Sequence, residues 1–301
     1  MRFSAVLFGL ILMCAVIALA VPAPLQDEGD VRGAFITSRP KEKPASSGAA
    51  TRPKRRRPVT PARTPDKTPD KTPDKTSGSS TGSKSSTPES RPVNTARIGL
   101  GLTLFSRDSN GLAVRVDPSR EFRKGDRVRI LLETNADGYL YVFNRTNDGT
   151  PVMIYPDAEL DEGGNYLQAH VPFEIPASDN ADERLRWFAF DENTGTEKVF
   201  FVFTREPLKN VPIEDDLLAF CRNNKCPWPV ATDVWELVEK QLQEPLKTNR
   251  SNSFGAAQTN SEKTATTRGL GLSKDDPEPS LIMMASSTRP TLVATLDLIH
   301  K

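Results

Sequence analysis

The sequence predicts a mainly β fold, an antiparallel β-sandwich with a short two-helix insertion, preceded by a signal peptide and a disordered linker. Three observations predict it. From Ile98 onward, short apolar runs alternate with polar, glycine-bearing turns such as NADG, TNDGT, DEGG and ENTGTE, the rhythm of hairpin-connected strands. After Pro212 the apolar spacing becomes helical in two stretches. Between residues 21 and 94 large apolar side chains almost vanish.

Residues 1–20, MRFSAVLFGLILMCAVIALA, carry Arg2, a continuous apolar run and small residues at Ala18 and Ala20. That is the layout of a secretory signal cleaved after Ala20. The apolar run from Ala5 to Val21 is at the short end for a membrane span, and an uncleaved anchor is the alternative. Cys14 raises a lipoprotein reading, against which stands Met13, where a lipobox takes Gly, Ala or Ser. The expected location is therefore the periplasm, the cell envelope or the exterior.

Residues 21–94 are rich in Pro, Ser, Thr, Lys and Arg and include the tandem repeat TPDKTPDKTPDKT. Such a segment buries too little apolar area to offset its ordering entropy and reads as a disordered tether. It is also basic. Residues 41–97 hold 14 basic and 5 acidic side chains, against 13 and 19 in residues 98–212. A cationic arm thus precedes an acidic body. The sharpest charge run, PKRRRP at 53–58, has no interleaved aromatic to stack on a base. It suits an anionic polymer or lipid head groups and not specific nucleic acid. Membrane contact is expected only through this arm or the signal segment.

The body, residues 95–212, reads as strands. In DRVRILLET, Val128, Ile130 and Leu132 share one face, and Arg127, Arg129 and Glu133 the other. This is the alternation of a half-buried strand. In GYLYVFN both faces are apolar, Tyr139, Tyr141 and Phe143 on one and Leu140 and Val142 on the other. That strand, like KVFFVF, belongs in the centre of a sheet covered on both sides. Asn147-Asp148-Gly149 tolerates the positive φ of a tight hairpin.

Residues 213–243 form the helical insertion. IEDDLLAFCR and ATDVWELVEKQL have amphipathic spacing, the second capped by Thr232 or Asp233 and burying Trp235, Leu237, Val238 and Leu242. The insertion holds Cys221 and Cys226, which bridge in an oxidising compartment or remain free thiols. Residues 244–280 read as a flexible loop. Residues 281–301 hold a terminal strand that returns to the sandwich.

Two segments carry a family resemblance: FRKGDRVRILLETNADGYLYVFNRTNDGTPVMIYPDAEL and ENTGTEKVFFVFTREPL. They resemble the bacterial family called domain of unknown function 4384 in four motifs. These are a GDRVR strand start at Gly125 to Arg129, an NADGYLYV strand at Asn135 to Val142, a P-x-x-x-YP strand end at Pro151 to Pro156, and a GTE turn at Gly195 to Glu197. RGLGL (268–272) and LDLIHK (296–301) are similar to that family's closing strand region. The resemblance covers roughly residues 98–212 and the tail. It implies a β-rich extracytoplasmic domain, often joined to other modules, with no agreed activity and no catalytic residues.

Chemistry is sparse in the sequence. His170, in LQAHVPF, reads as an ordinary strand residue and His300 lies at the very end; no G-x-S-x-G, Walker loop or dinucleotide fingerprint occurs. No catalytic residue and no cofactor is implied. Asp157, Glu159 and Asp161 alternate as calcium ligands do, but Glu162 and Gln168 stand where the calcium loop takes Gly and Glu. Tyr139, Tyr141, Trp187, Phe188 and Phe190 are either core or a surface ladder for glycans or peptide. The expectation is an exported, non-catalytic interaction module of the bacterial cell envelope, whose partner is an envelope protein or an anionic polymer. A calcium- or glycan-binding adhesion-type domain and an envelope hydrolase are the alternatives.

Overall fold

The computed structural model describes residues 28–41, 97–157, 164–212, 214–224 and 226–301. The predicted signal segment, PKRRRP and the TPDK repeats lie outside them. Among the described residues the chain forms four helices and two seven-stranded sheets. The helices are α1 (Glu28–Thr37), α2 (Glu214–Asn224), α3 (Thr232–Leu242) and α4 (Asn260–Arg268). The strands are β1 (Gly99–Arg107), β2 (Ala113–Arg115), β3 (Glu121–Phe122), β4 (Arg127–Thr134), β5 (Gly138–Thr146), β6 (Val152–Tyr155) and β7 (Tyr166–Leu167). They continue as β8 (Phe173–Ile175), β9 (Phe188–Ala189), β10 (Gly195–Thr204), β11 (Trp228–Pro229), β12 (Leu246–Arg250), β13 (Leu281–Ala285) and β14 (Thr291–His300).

The first sheet runs β12-β13-β1-β4-β8, with β2 on β1 and β9 on β4. The second runs β11-β6-β5-β10-β14-β3, with β7 on β5. The expected mainly β fold is thus present, and every pairing is antiparallel except β14 with β3. Period-two alternation explains why the sheets meet. Leu100, Leu102 and Leu104 of β1, Val128, Ile130 and Leu132 of β4, and Val199, Phe201 and Phe203 of β10 enter one shared core. Leu140 and Val142 of β5 join them, while Tyr141 and Phe143 on its other face pack under α2 and α3 with Phe200, Val202 and Val238. β5 and β10 are therefore central and covered on both sides, as their two-faced apolar pattern requires. The hairpin after β5 places Asn147 at φ 50°, and its side-chain Oδ1 accepts from Thr196 N at 2.9 Å.

Three expectations are corrected. Residues 28–41 are part of the folded body, not tether. Val31 and Phe35 of α1 pack on Ile282 and Met284 of β13. Two apolar residues one helical turn apart suffice for docking, and the composition of a 74-residue stretch averages them away. The Gly99-x-Gly101 pair makes room for this helix: a Cβ on Gly101 would lie 2.4 Å from Pro279 Cγ and 3.1 Å from Phe35 Cζ. Residues 244–280 are likewise structured, as β12 and α4. Thr259 and Glu262 close a capping box on α4, and Gly269 ends it at φ 62°. Finally, the polar face of β4 is solvent-facing only at Arg127, because Arg129 and Glu133 are only 5% and 2% exposed.

The helical insertion is present, with differences in detail. Ala231 is the residue preceding α3 and makes no side-chain cap, so neither Thr232 nor Asp233 serves there. The buried residues of α3 are Val234 and Val238, whereas Leu237 is exposed and Trp235 and Leu242 are half-buried. Cys221 and Cys226 are joined in a disulfide, Cα to Cα 4.8 Å. The loop it closes is short, so reduction should cost only about 2 kcal/mol. Thermal unfolding with and without reductant checks this, and loss of the whole fold on reduction would refute it.

Candidate functional site

Two polar constellations emerge from the fold, and neither was legible as a motif. The first lies on the outer face of the first sheet, where α1 ends. Arg39, fully buried, grips Glu133 of β4 with two parallel bonds, Nε to Oε1 at 2.8 Å and Nη2 to Oε2 at 2.6 Å. Its remaining donors reach the carbonyls of Ser273, Asp276 and Pro277 at 3.2, 2.9 and 3.0 Å. Glu133 Oε1 also meets His170 Nδ1 at 2.8 Å, and His170 Nε2 meets Ser38 Oγ at 2.9 Å. His170 sits in a turn at φ 58°, not in a strand as its sequence context suggests. Burial pushes the Glu133 carboxyl up, but the hydrogen bonds and charges of Arg39 and His170 outweigh it and hold the group below the usual carboxylate range.

A serine, an imidazole and a carboxylate in this order are the parts of an acyl-transfer relay. Their surroundings fit a clasp better. Glu133 is neutralised by the bidentate arginine, and Ser38 Oγ already donates to Phe35 O at 2.6 Å. None of the three lines the cavity described below. Two further buried pairs continue the polar layer: Arg115 with Glu262, and Arg129 with Glu174 at 3.7 Å, Arg129 also lying 4.2 Å over the Trp187 ring. Burial lowers the Arg129 guanidinium from its ordinary value despite Glu174.

The second constellation is a cavity of about 330 Å³ where the sheets part. Strand register explains it. On the inner face of the second sheet the row Val142–Phe201–Ala294 is apolar, Asn144–Val199–Leu296 is mixed, and Thr146–Glu197–Leu298 is more polar. The next row pairs Gly195 with His300. As polar residues replace core-forming ones, the sheets cease to close, and Phe188 and Phe190 line the space opposite. Glu197 is held by Asn144 Nδ2 and Thr146 Oγ1, both 2.8 Å from Oε2. Asp191 accepts from Asn193 N at 2.7 Å and Asn193 Nδ2 at 2.8 Å, which together hold its carboxyl below the ordinary range. His300 Nδ1 lies 2.7 Å from Asn193 O and its ring 5.1 Å from that of Phe190.

The residues singled out by sequence are dispersed. Tyr141 is wholly buried with its hydroxyl accepting from Leu208 N at 2.9 Å, so it belongs to the core and not to a surface ladder. Burial raises its phenol above the ordinary value. Tyr139 is half-buried with its ring 5.2 Å from Tyr166, and Trp187 lies under Arg129. Phe188 and Phe190 both line the cavity. Of the calcium candidates, Asp157 is half-buried, while Glu159 and Asp161 lie outside the described residues. Among the described residues no three potential metal ligands gather. The TNSE capping box at 259–262 was a readable signal that sequence reasoning passed over.

The fold therefore defines a mainly β protein with two sheets over a shared core, the clasped helix α1 and, among the described residues, an apolar cavity between the sheets with polar groups at an open end. Residues 121–207 match the family described as Domain of unknown function (DUF4384), so the chain carries a DUF4384-like domain. The match runs from β3 through β10. The strands β1, β13 and β14, which complete the shared core, lie outside it. No curated protein and no solved structure matches the chain.

Proposed function

We propose that this protein is an exported, non-catalytic binding module of the bacterial cell envelope, a β-sandwich whose open end receives a ligand. The observation that carries the proposal is the cavity between the sheets, with its apolar floor and a few fixed polar groups. Its volume, about 330 Å³, falls in the range of roughly 300–1,000 Å³ common to small-molecule sites. The secretory layout of residues 1–20 and the Cys221–Cys226 disulfide support an oxidising, extracytoplasmic location. The serine, histidine and glutamate that gather at Arg39 support structure, since they fasten α1 to the sheet. An envelope protein or anionic polymer would meet the cationic arm while the body holds its own ligand.

The neutral apolar dye Nile red tests the cavity. The whole chain should enhance its fluorescence saturably at one site, and Ile154→Trp, which fills the cavity, should abolish the enhancement. Absence of saturable binding, or binding indifferent to Ile154→Trp, would overturn the proposal. Expression with residues 1–20 in a bacterial host should yield a shortened chain in the extracytoplasmic fraction; retention at full length in the cytoplasm would defeat the export element.

A further inference from the structure

We infer that the cavity is a site for a small organic cation, an ammonium group carried on an aromatic or aliphatic body. This rests on the binding-module proposal and gives its ligand a chemical class. The argument is a balance of donors and acceptors. Among the described residues no Lys or Arg lines the cavity, whereas the two carboxylates Asp191 and Glu197 do. Each lining side chain able to donate is already donating to a neighbour in the wall. Asn144 Nδ2 and Thr146 Oγ1 both serve Glu197, and Asn193 Nδ2 serves Asp191.

His300 completes the pattern. It is 3% exposed, and its Nδ1 faces the Asn193 carbonyl, which can only accept. Nδ1 therefore carries the hydrogen, and whenever the ring is neutral Nε2 is an acceptor on the side away from Asn193. Among the described residues Nε2 has no hydrogen-bond partner, and neither does Asn144 Oδ1. An unpaired acceptor in the wall is costly, and these two, closed to water as the wall stands, would each take a donor from a ligand that shifts it slightly.

The fixed charge on offer is thus negative, beside two amides that each keep one N–H spare, above a floor of Val128, Ile130 and Val199 flanked by Phe188 and Phe190. An anion would meet two carboxylates without a counter-charge. A neutral alcohol would satisfy an acceptor and forgo the charge. An ammonium satisfies both.

Competition against Nile red on the whole chain decides the matter with three ligands of one skeleton: phenethylammonium, phenethyl alcohol and phenylpropionate. The ammonium should compete about tenfold better than the alcohol, and the carboxylate worse than either. Glu197→Gln, which keeps an oxygen for Asn144 and Thr146, should bring the ammonium down to the alcohol. Asp191→Asn, at an exposed position with little bearing on folding, should weaken the ammonium alone. Equal competition by ammonium and alcohol, or a preference that survives both substitutions, would overturn the cation assignment while leaving the dye-binding module standing. Failure of the dye itself to bind would remove both. A lysine-bearing peptide that outcompetes the free amine would overturn the small-molecule assignment.

Discussion

Replacing Arg39 by Ala should destabilise the protein by about 3–5 kcal/mol, the cost of leaving a buried charge without its partner. Glu133 would remain 2% exposed with only His170 against it, and the carbonyls of Ser273, Asp276 and Pro277 would lose the guanidinium that ties them together. The double substitution Arg39→Met with Glu133→Leu should recover much of that loss, because apolar residues of similar size tolerate the same site. Urea midpoints at neutral pH read both effects. A loss below about 1 kcal/mol for Arg39→Ala, the level of an exposed pair, would show that the clasp is not closed in solution.

The same carboxylate gives the clasp a pH dependence. Its folded pKa lies below the unfolded value of about 4.5. Its contribution is therefore fully present above pH 4.5 and is lost as the pH falls through the lower folded value. Stability should decline more gently between neutral and acid pH in Glu133→Gln than in the natural protein.

Phe35→Ala is the second large expectation, at about 3–5 kcal/mol. Phe35 is fully buried against Ile282 and Met284, and its ring fills the space that Gly99 and Gly101 leave open. It also stands edge-on to His170 at 5.7 Å, so its loss would loosen the clasp as well. The substitution falls in a stretch whose composition reads as tether, where a change would cost almost nothing. Denaturant unfolding separates the two outcomes, and a neutral Phe35→Ala would return residues 28–41 to the tether.

The strands were legible because their cause is local. Alternation in β4, two apolar faces in β5 and β10, and the NDG hairpin each arise from neighbours within a few residues. Helix α1 was not legible, since its two buried apolar residues sit in a polar stretch and find their partners, Ile282 and Met284, only about 250 residues further along the chain. The polar face of β4 misled for the same reason: Arg129 and Glu133 look solvated until Glu174 and Trp187 meet the first and Arg39 and His170 the second. Phe188 and Phe190 were named as candidates, but nothing near them announces Glu197 or His300, which strand register alone brings to the same opening.

By itself the sequence determined the class of fold, the two covered central strands, the helical insertion and the cysteine pair, because side-chain periodicity and turn chemistry act over short separations. Tertiary structure alone decided that Arg39 closes on Glu133, that Phe35 lies over two glycines, and that Glu197 and His300 share a cavity. Those contacts join residues far apart in the chain. Their energies exist only once the sheets have set the register and water has been excluded, and no local pattern encodes either.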